Sequence, residues 1–232
     1  RGSPFRGDEG QDAKYGPGMI DETSRPLRFD GRGYAAFLFD MDGTMIDSTL
    51  VAERIWSEWA ERNGADASAL LAAVHGVRAV DTVRRFARAG TDAEAEAIRL
   101  TEAEIAAVDG ILPVPGIEAF IAMLPADRWA VVTSAPRALA EARFRAAGLP
   151  VPATMVAAED VRRGKPDPEG YLNAAALLGV AIGACLVFED APAGIAAAKA
   201  AGADVVAVGG QVDAEGCVAS IMDYRGGRVS AQ

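Results

Sequence analysis

The chain has 232 residues, half of them apolar, with 24% charged side chains and a formal charge of −10. That length and composition describe a folded chain of one large domain, or a core with a smaller insert, and argue against disorder and against generic nucleic-acid binding. Two cysteines, Cys185 and Cys217, exclude a disulfide scaffold and a four-cysteine zinc site and suit a reducing cytoplasm.

Residues 1–19 are polar and glycine-rich and carry no apolar signal segment, so they read as an arm outside the fold, with Met19 a candidate natural start. The first strand is expected over Tyr34–Phe39, a continuous apolar run that suits burial on both faces. It ends in Asp40-Met-Asp-Gly-Thr44. Helical periodicity then runs from Leu50 to about Val108. Ser48 or Thr49 is placed to cap the first helix, and Ile55, Trp56 and Trp59 recur on one face. Asn63-Gly64 breaks that helix. Three more are expected over Ala69–Val74, Val80–Ala89 and Ala93–Ala107, with no strand signal between them.

Beyond Pro113 the pattern alternates. Helices are expected over Ile117–Leu124, Leu139–Ala147, Glu169–Leu178 and Ala193–Ala201. Strands are expected over Trp129–Thr133, weakly over Thr154–Ala157, then over Cys185–Phe188 and Asp204–Val208. Such alternation calls for an α/β fold with a parallel sheet covered by helices. The core is therefore assigned to 20–49 plus 110–232, with a helical cap inserted over 50–109. No stretch is apolar enough to span a bilayer.

Ligands of an open parallel sheet bind at the carboxyl ends of its strands. Those ends carry Asp40 and Asp42, Thr133 and Ser134, and Glu189 and Asp190, while Lys165 lies in the loop before a helix. Crowded carboxylates need a cation, and an oxygen-rich set with few protein ligands suits Mg²⁺. A magnesium ion beside a lysine and two hydroxyls makes a site for a phosphate dianion. Backbone N–H groups after Asp42 and Ser134, at Gly43 and Ala135, add donors. Two aspartates two residues apart also suit divided labour, one attacking phosphorus and the other moving protons. Lys165 is one of three lysines against 20 arginines, which suggests that a compact point charge is wanted there.

Asp40-Met-Asp-Gly-Thr44, Thr133-Ser134, Gly164-Lys-Pro-Asp-Pro168 and Phe188-Glu-Asp-Ala-Pro-Ala-Gly194 resemble the four signature motifs of the haloacid dehalogenase superfamily, in order and after the expected strands. The resemblance implies a Rossmann-like core with a four-helix cap. It implies Asp40 as nucleophile and magnesium ligand, and Asp42 as acid/base residue with a backbone carbonyl on the metal. Thr44 would orient the loop, Thr133 or Ser134 would hold phosphate, and Lys165 would neutralise charge. Asp190 would bind the metal, with Glu189 in the same role or one water away.

Leu124–Ser134, Gly164–Tyr171 and Phe188–Gly202 are similar to the superfamily's sugar phosphatases, and His75-Gly-Val-Arg78 is similar to their substrate-facing cap segment. His75 and Arg78 are thus candidates for substrate contact, and a small phosphorylated sugar or polyol is the expected partner of a monomeric enzyme. Ala135 stands where those phosphatases usually have glycine and β-phosphoglucomutase has alanine, so an isomerase working through the same aspartyl phosphate is the alternative. A phospho-acceptor signalling domain fits less well, lacking both a cap and a second aspartate. A phosphonatase would need a cap lysine, and 50–110 contains none.

Overall fold

In the computed structural model, residues 27–210 and 212–225 are described, with the backbone of 229–231. The expected arm over 1–19 lies outside these residues. In chain order the elements are β1 (Leu27–Phe29), β2 (Arg32–Tyr34), β3 (Ala36–Phe39), β4 (Ile46–Asp47), α1 (Thr49–Asn63), α2 (Ala67–Val74), α3 (Ala79–Phe86), α4 (Ala93–Ala106) and β5 (Leu112–Pro113). There follow α5 (Ile117–Ala122), β6 (Trp129–Val132), α6 (Arg137–Ala146), β7 (Met155–Val156), α7 (Glu169–Leu177), β8 (Cys185–Glu189), α8 (Pro192–Ala201), β9 (Asp204–Val208), β10 (Ala219–Ile221) and β11 (Val229–Ala231).

Six strands form one parallel sheet in the order β10-β9-β8-β3-β6-β7. β3 is buried along its whole length, and its alternate side chains feed two apolar layers. Phe37 and Phe39 pack with Phe120 and Phe188 on one face, while Ala36 and Leu38 pack with Val187 and Tyr171 on the other. Phe39 and Phe188, from neighbouring strands, stack with ring centroids 4.8 Å apart. Each such phenylalanine contributes roughly 2–3 kcal/mol by leaving water. The fold is thus a Rossmann-like α/β core. From β3 the chain goes to β6 on one side and returns at β8 on the other, so the crevice at the carboxyl end of β3 and β8 is the topological switch point.

The expected strand over Tyr34–Phe39 is divided. Tyr34 closes β2, which pairs antiparallel with β1 across a turn at Asp30-Gly31. Both turn residues have positive φ, 49° and 78°, the backbone that an Asp-Gly hairpin turn requires. Four helices lie between β4 and β5, and these two short strands pair antiparallel as the double crossing between them and the sheet. Gly64, at φ 63°, ends α1 as expected. Ser48 sits at the N-cap of α1 but its side chain makes no capping bond, because its hydroxyl is used elsewhere. Among the described residues, no helix is long and apolar enough to cross a membrane.

Candidate active site

β3 and β8 run side by side, so their ends deliver Asp40 and Glu189-Asp190 to one place. The amide N–H of Asp40 donates to the Phe188 carbonyl at 3.0 Å, which locks the two strand ends together. The loop before α7 brings Lys165. Its Nζ donates to Asp40 Oδ1 at 2.5 Å and to Glu189 Oε1 at 2.6 Å, with all three groups buried. Tyr171 of α7 also donates to Glu189 Oε1, at 2.7 Å, and the N–H groups of Asp190 and Ala191 donate to Glu189 Oε2. The two oxygens of Glu189 therefore accept four bonds.

Thr44 is fully buried and donates to Asp190 Oδ1 at 3.0 Å. Gly43, at φ 86°, leaves the space that Asp190 fills; a Cβ there would lie 1.9 Å from Asp190 Oδ2. Gly194 serves Glu189 likewise, a Cβ at that position lying 1.6 Å from Oε1. The carboxylates of Asp40, Glu189 and Asp190 each offer an oxygen within 4.8 Å of the others. Burial pushes the Asp40 carboxyl well above the usual carboxylate range, and the neighbouring acids add to this against the pull of Lys165. Asp190 is pushed up to about 7, by burial and then by Glu189. Burial works against the charge on Lys165, but Asp40 and Glu189 outweigh it and hold the ammonium above the ordinary lysine range. Three acids facing one lysine thus carry surplus negative charge, and an oxygen-liganded divalent cation fits that set.

Asp42 stands apart from this cluster. Ser48 donates to its Oδ1 at 2.6 Å, and Arg143 of α6 donates to its Oδ2 at 2.7 Å. The second arm of Arg143 reaches Glu104 of α4 at 3.3 Å, and both side chains are buried. Burial pushes Glu104 upward, with Arg143 pulling the other way. Asp40, Asp42, Glu104, Arg143, Thr133 and Asp190 are among the lining of an open cavity of about 90 Å³ between the sheet rim and α1, α2 and α4.

Gly43, Ser134, Ala135 and His75 also line this cavity. Thr133 Oγ1 accepts from the N–H of Ala135 at 3.0 Å and keeps its own proton for a ligand. Ser134 Oγ is spent on the Gly76 carbonyl at 2.8 Å. His75 is exposed at the cavity mouth. Arg78 does not reach the cavity. Asp81, one turn along α3, captures its Nε at 2.7 Å, and its NH1 donates to the Arg162 carbonyl. It lines a small recess behind Ser134 that also touches Lys165.

Glu104, Arg143 and Tyr171 are not singled out by the sequence, and Ser48 reads there only as a helix cap. Arg143 had a signal: it shares a helical stripe with Leu139, Ala140 and Phe144, where a charge needs a buried partner. Glu104 follows Leu100 at the same spacing.

Residues 34–202 match the haloacid dehalogenase-like hydrolase family. The chain belongs to that family. Hexitol phosphatase A of Escherichia coli K12 is 44% identical over 181 residues, covering 76% of this chain and 84% of that protein. This hydrolase is also 34% identical to 2-deoxyglucose-6-phosphate phosphatase 1 of Saccharomyces cerevisiae, over 76% of this chain and 80% of the yeast protein. A crystal structure of a hydrolase from Pseudomonas syringae matches the fold with a TM-score of 0.74 at 25% identity, covering 82% of this chain and 94% of that one.

Proposed function

We propose that this hydrolase is a Mg²⁺-dependent phosphatase of small phosphorylated sugars or polyols that works through an aspartyl phosphate on Asp40. The observation that carries the reading is the Asp40 carboxylate, held by Lys165 within the acidic cluster and facing the cavity between the sheet rim and the inserted helices. The names of the two relatives support the substrate class.

Asp40 attacks phosphorus while the bond to the sugar oxygen breaks, and Asp42 gives a proton to that oxygen. Asp42 then takes a proton from the water that attacks the aspartyl phosphate, releasing phosphate and restoring Asp40. Each oxygen of Asp42 accepts one bond, from Ser48 or Arg143, and keeps a lone pair for the proton. Thr133 donates to a phosphoryl oxygen and Lys165 offsets its charge, while the backbone donors expected at Gly43 and Ala135 are already engaged by the Ile46 carbonyl and by Thr133 Oγ1. Asp40 and Asp190 would hold Mg²⁺ directly, because the four donors on Glu189 already fill its oxygens. When bound, Mg²⁺ neutralises charge on the phosphoryl oxygens and on the paired aspartates.

Two outcomes test this reading. A panel of sugar and polyol phosphates should release free phosphate with Mg²⁺ and almost none with EDTA. Conversion of one sugar phosphate to another without phosphate release would favour the isomerase alternative, to which Ala135 points. Thermal stability gives the second readout. Asp190, pushed up to about 7, keeps a proton in the folded state that the unfolded chain releases, so stability without metal falls as pH rises from the ordinary carboxylate range towards 7. Mg²⁺ binds the ionised pair and at lower pH must displace protons. Its stabilisation, measured by calorimetry, should therefore be larger at pH 8 than at pH 6; an equal or smaller gain at pH 8 would count against the metal site.

A further inference from the structure

We propose that the buried Glu104–Arg143 pair reads the alcohol half of the substrate, admitting uncharged polyhydroxylated groups and rejecting those that carry a second negative charge. This inference rests on the phosphatase reading and concerns the opposite wall of the same cavity.

The charges of that wall carry the argument. Among the described residues lining the cavity, Arg143 is the one arginine or lysine, against the carboxylates of Asp40, Asp42, Glu104 and Asp190. The cluster at Asp40 and Asp190 is the phosphoryl end. The leaving group must then lie towards Asp42, Arg143 and Glu104. Both arms of Arg143 are already engaged, one by Asp42 at 2.7 Å and one by Glu104 at 3.3 Å. Neither terminal nitrogen of Arg143 is left unengaged for an anionic leaving group, and such a group would sit against the buried carboxylate of Glu104 and the partly buried one of Asp42. Hydroxyl groups meet the opposite situation. Glu104 accepts from Trp56 and still has lone pairs to spare, the 3.3 Å contact to Arg143 is loose, and Thr101 also lines this wall and carries a hydroxyl. Glu104 comes from α4 and Arg143 from α6, so the recognition surface is completed only where the cap helices meet the core.

The test uses two esters with the same three-carbon skeleton. Glycerol 3-phosphate ends in an uncharged CH₂OH, and 3-phosphoglycerate ends in a carboxylate. The wild-type enzyme should prefer the first in kcat/KM by at least about 100-fold. Glu104→Gln keeps the side-chain shape and frees one arm of Arg143 for a substrate carboxylate. That preference should narrow by at least about tenfold, chiefly through a lower KM for 3-phosphoglycerate. A general loss of structure would lower both rates together and leave the ratio unchanged. If the Gln variant melts below the assay temperature, Glu104→Asp, which withdraws the carboxylate from Arg143, should narrow the ratio in the same sense. A wild-type preference below about tenfold, or a ratio unmoved in the folded variant, overturns the inference while phosphate release upholds the phosphatase reading. No phosphate from these esters, from hexitol phosphates or from p-nitrophenyl phosphate overturns both.

Discussion

Asp40→Asn is expected to abolish turnover, by at least about 10⁴-fold in kcat, because the amide cannot attack phosphorus and no second carboxylate occupies its place. Asp190 is committed to Thr44, and Glu189 to Lys165, Tyr171 and two backbone N–H groups. The fold should survive. Burial disfavours the Asp40 charge, so asparagine relieves a desolvation cost while weakening one bond from Lys165. These effects oppose each other, and the melting temperature without metal should stay within about 5 °C of wild type. Retained turnover in a folded variant would remove Asp40 from the nucleophile role.

Lys165→Met should produce the second-largest effect, and it should reach stability as well as rate. The ammonium lies between Asp40 and Glu189 with its ring neighbour Tyr171 5.3 Å away, all buried. Removing it leaves two carboxylates facing each other without a counter-charge, a loss of roughly 3 kcal/mol or more. For a chain of this size that corresponds to about 6–12 °C in melting temperature. The deficit should shrink as pH falls, because protonation neutralises a buried carboxylate that has lost its counter-charge. In rate, loss of the charge opposite the phosphoryl group should lower kcat by about 10²–10³-fold. Unchanged kcat, or a stability loss that does not diminish at low pH, would show that Lys165 has another purpose.

The parallel sheet was legible because buried strands leave continuous apolar runs, as at Cys185–Phe188, and because helices between them show their own period. The rim was legible because Asp40, Asp42, Lys165 and Asp190 sit where strand ends or their following loops must converge, and the structure brings Asp40, Lys165 and Asp190 into one cluster. What local sequence could not supply was partnership across the fold. Ser48 read as a helix cap, yet its hydroxyl serves Asp42 from six residues away. Arg78 read as a substrate contact, yet Asp81 lies at i+3 and takes its guanidinium. Arg143 read as one of many arginines, and only the packing of α6 under α4 makes it the link between Glu104 and Asp42. Two-residue strands such as β4 and β5 carry no period to detect and exist because each pairs with the other.

The most direct measurement is rapid acid quench of the enzyme during turnover of a hexitol phosphate with Mg²⁺, followed by peptide mass spectrometry. The account predicts a hydroxylamine-labile phosphoryl group on the peptide carrying Asp40, formed and lost at rates compatible with kcat and missing from Asp40→Asn. Steady release of phosphate with an unmodified Asp40 peptide at every time point, together with inversion at phosphorus, would contradict it.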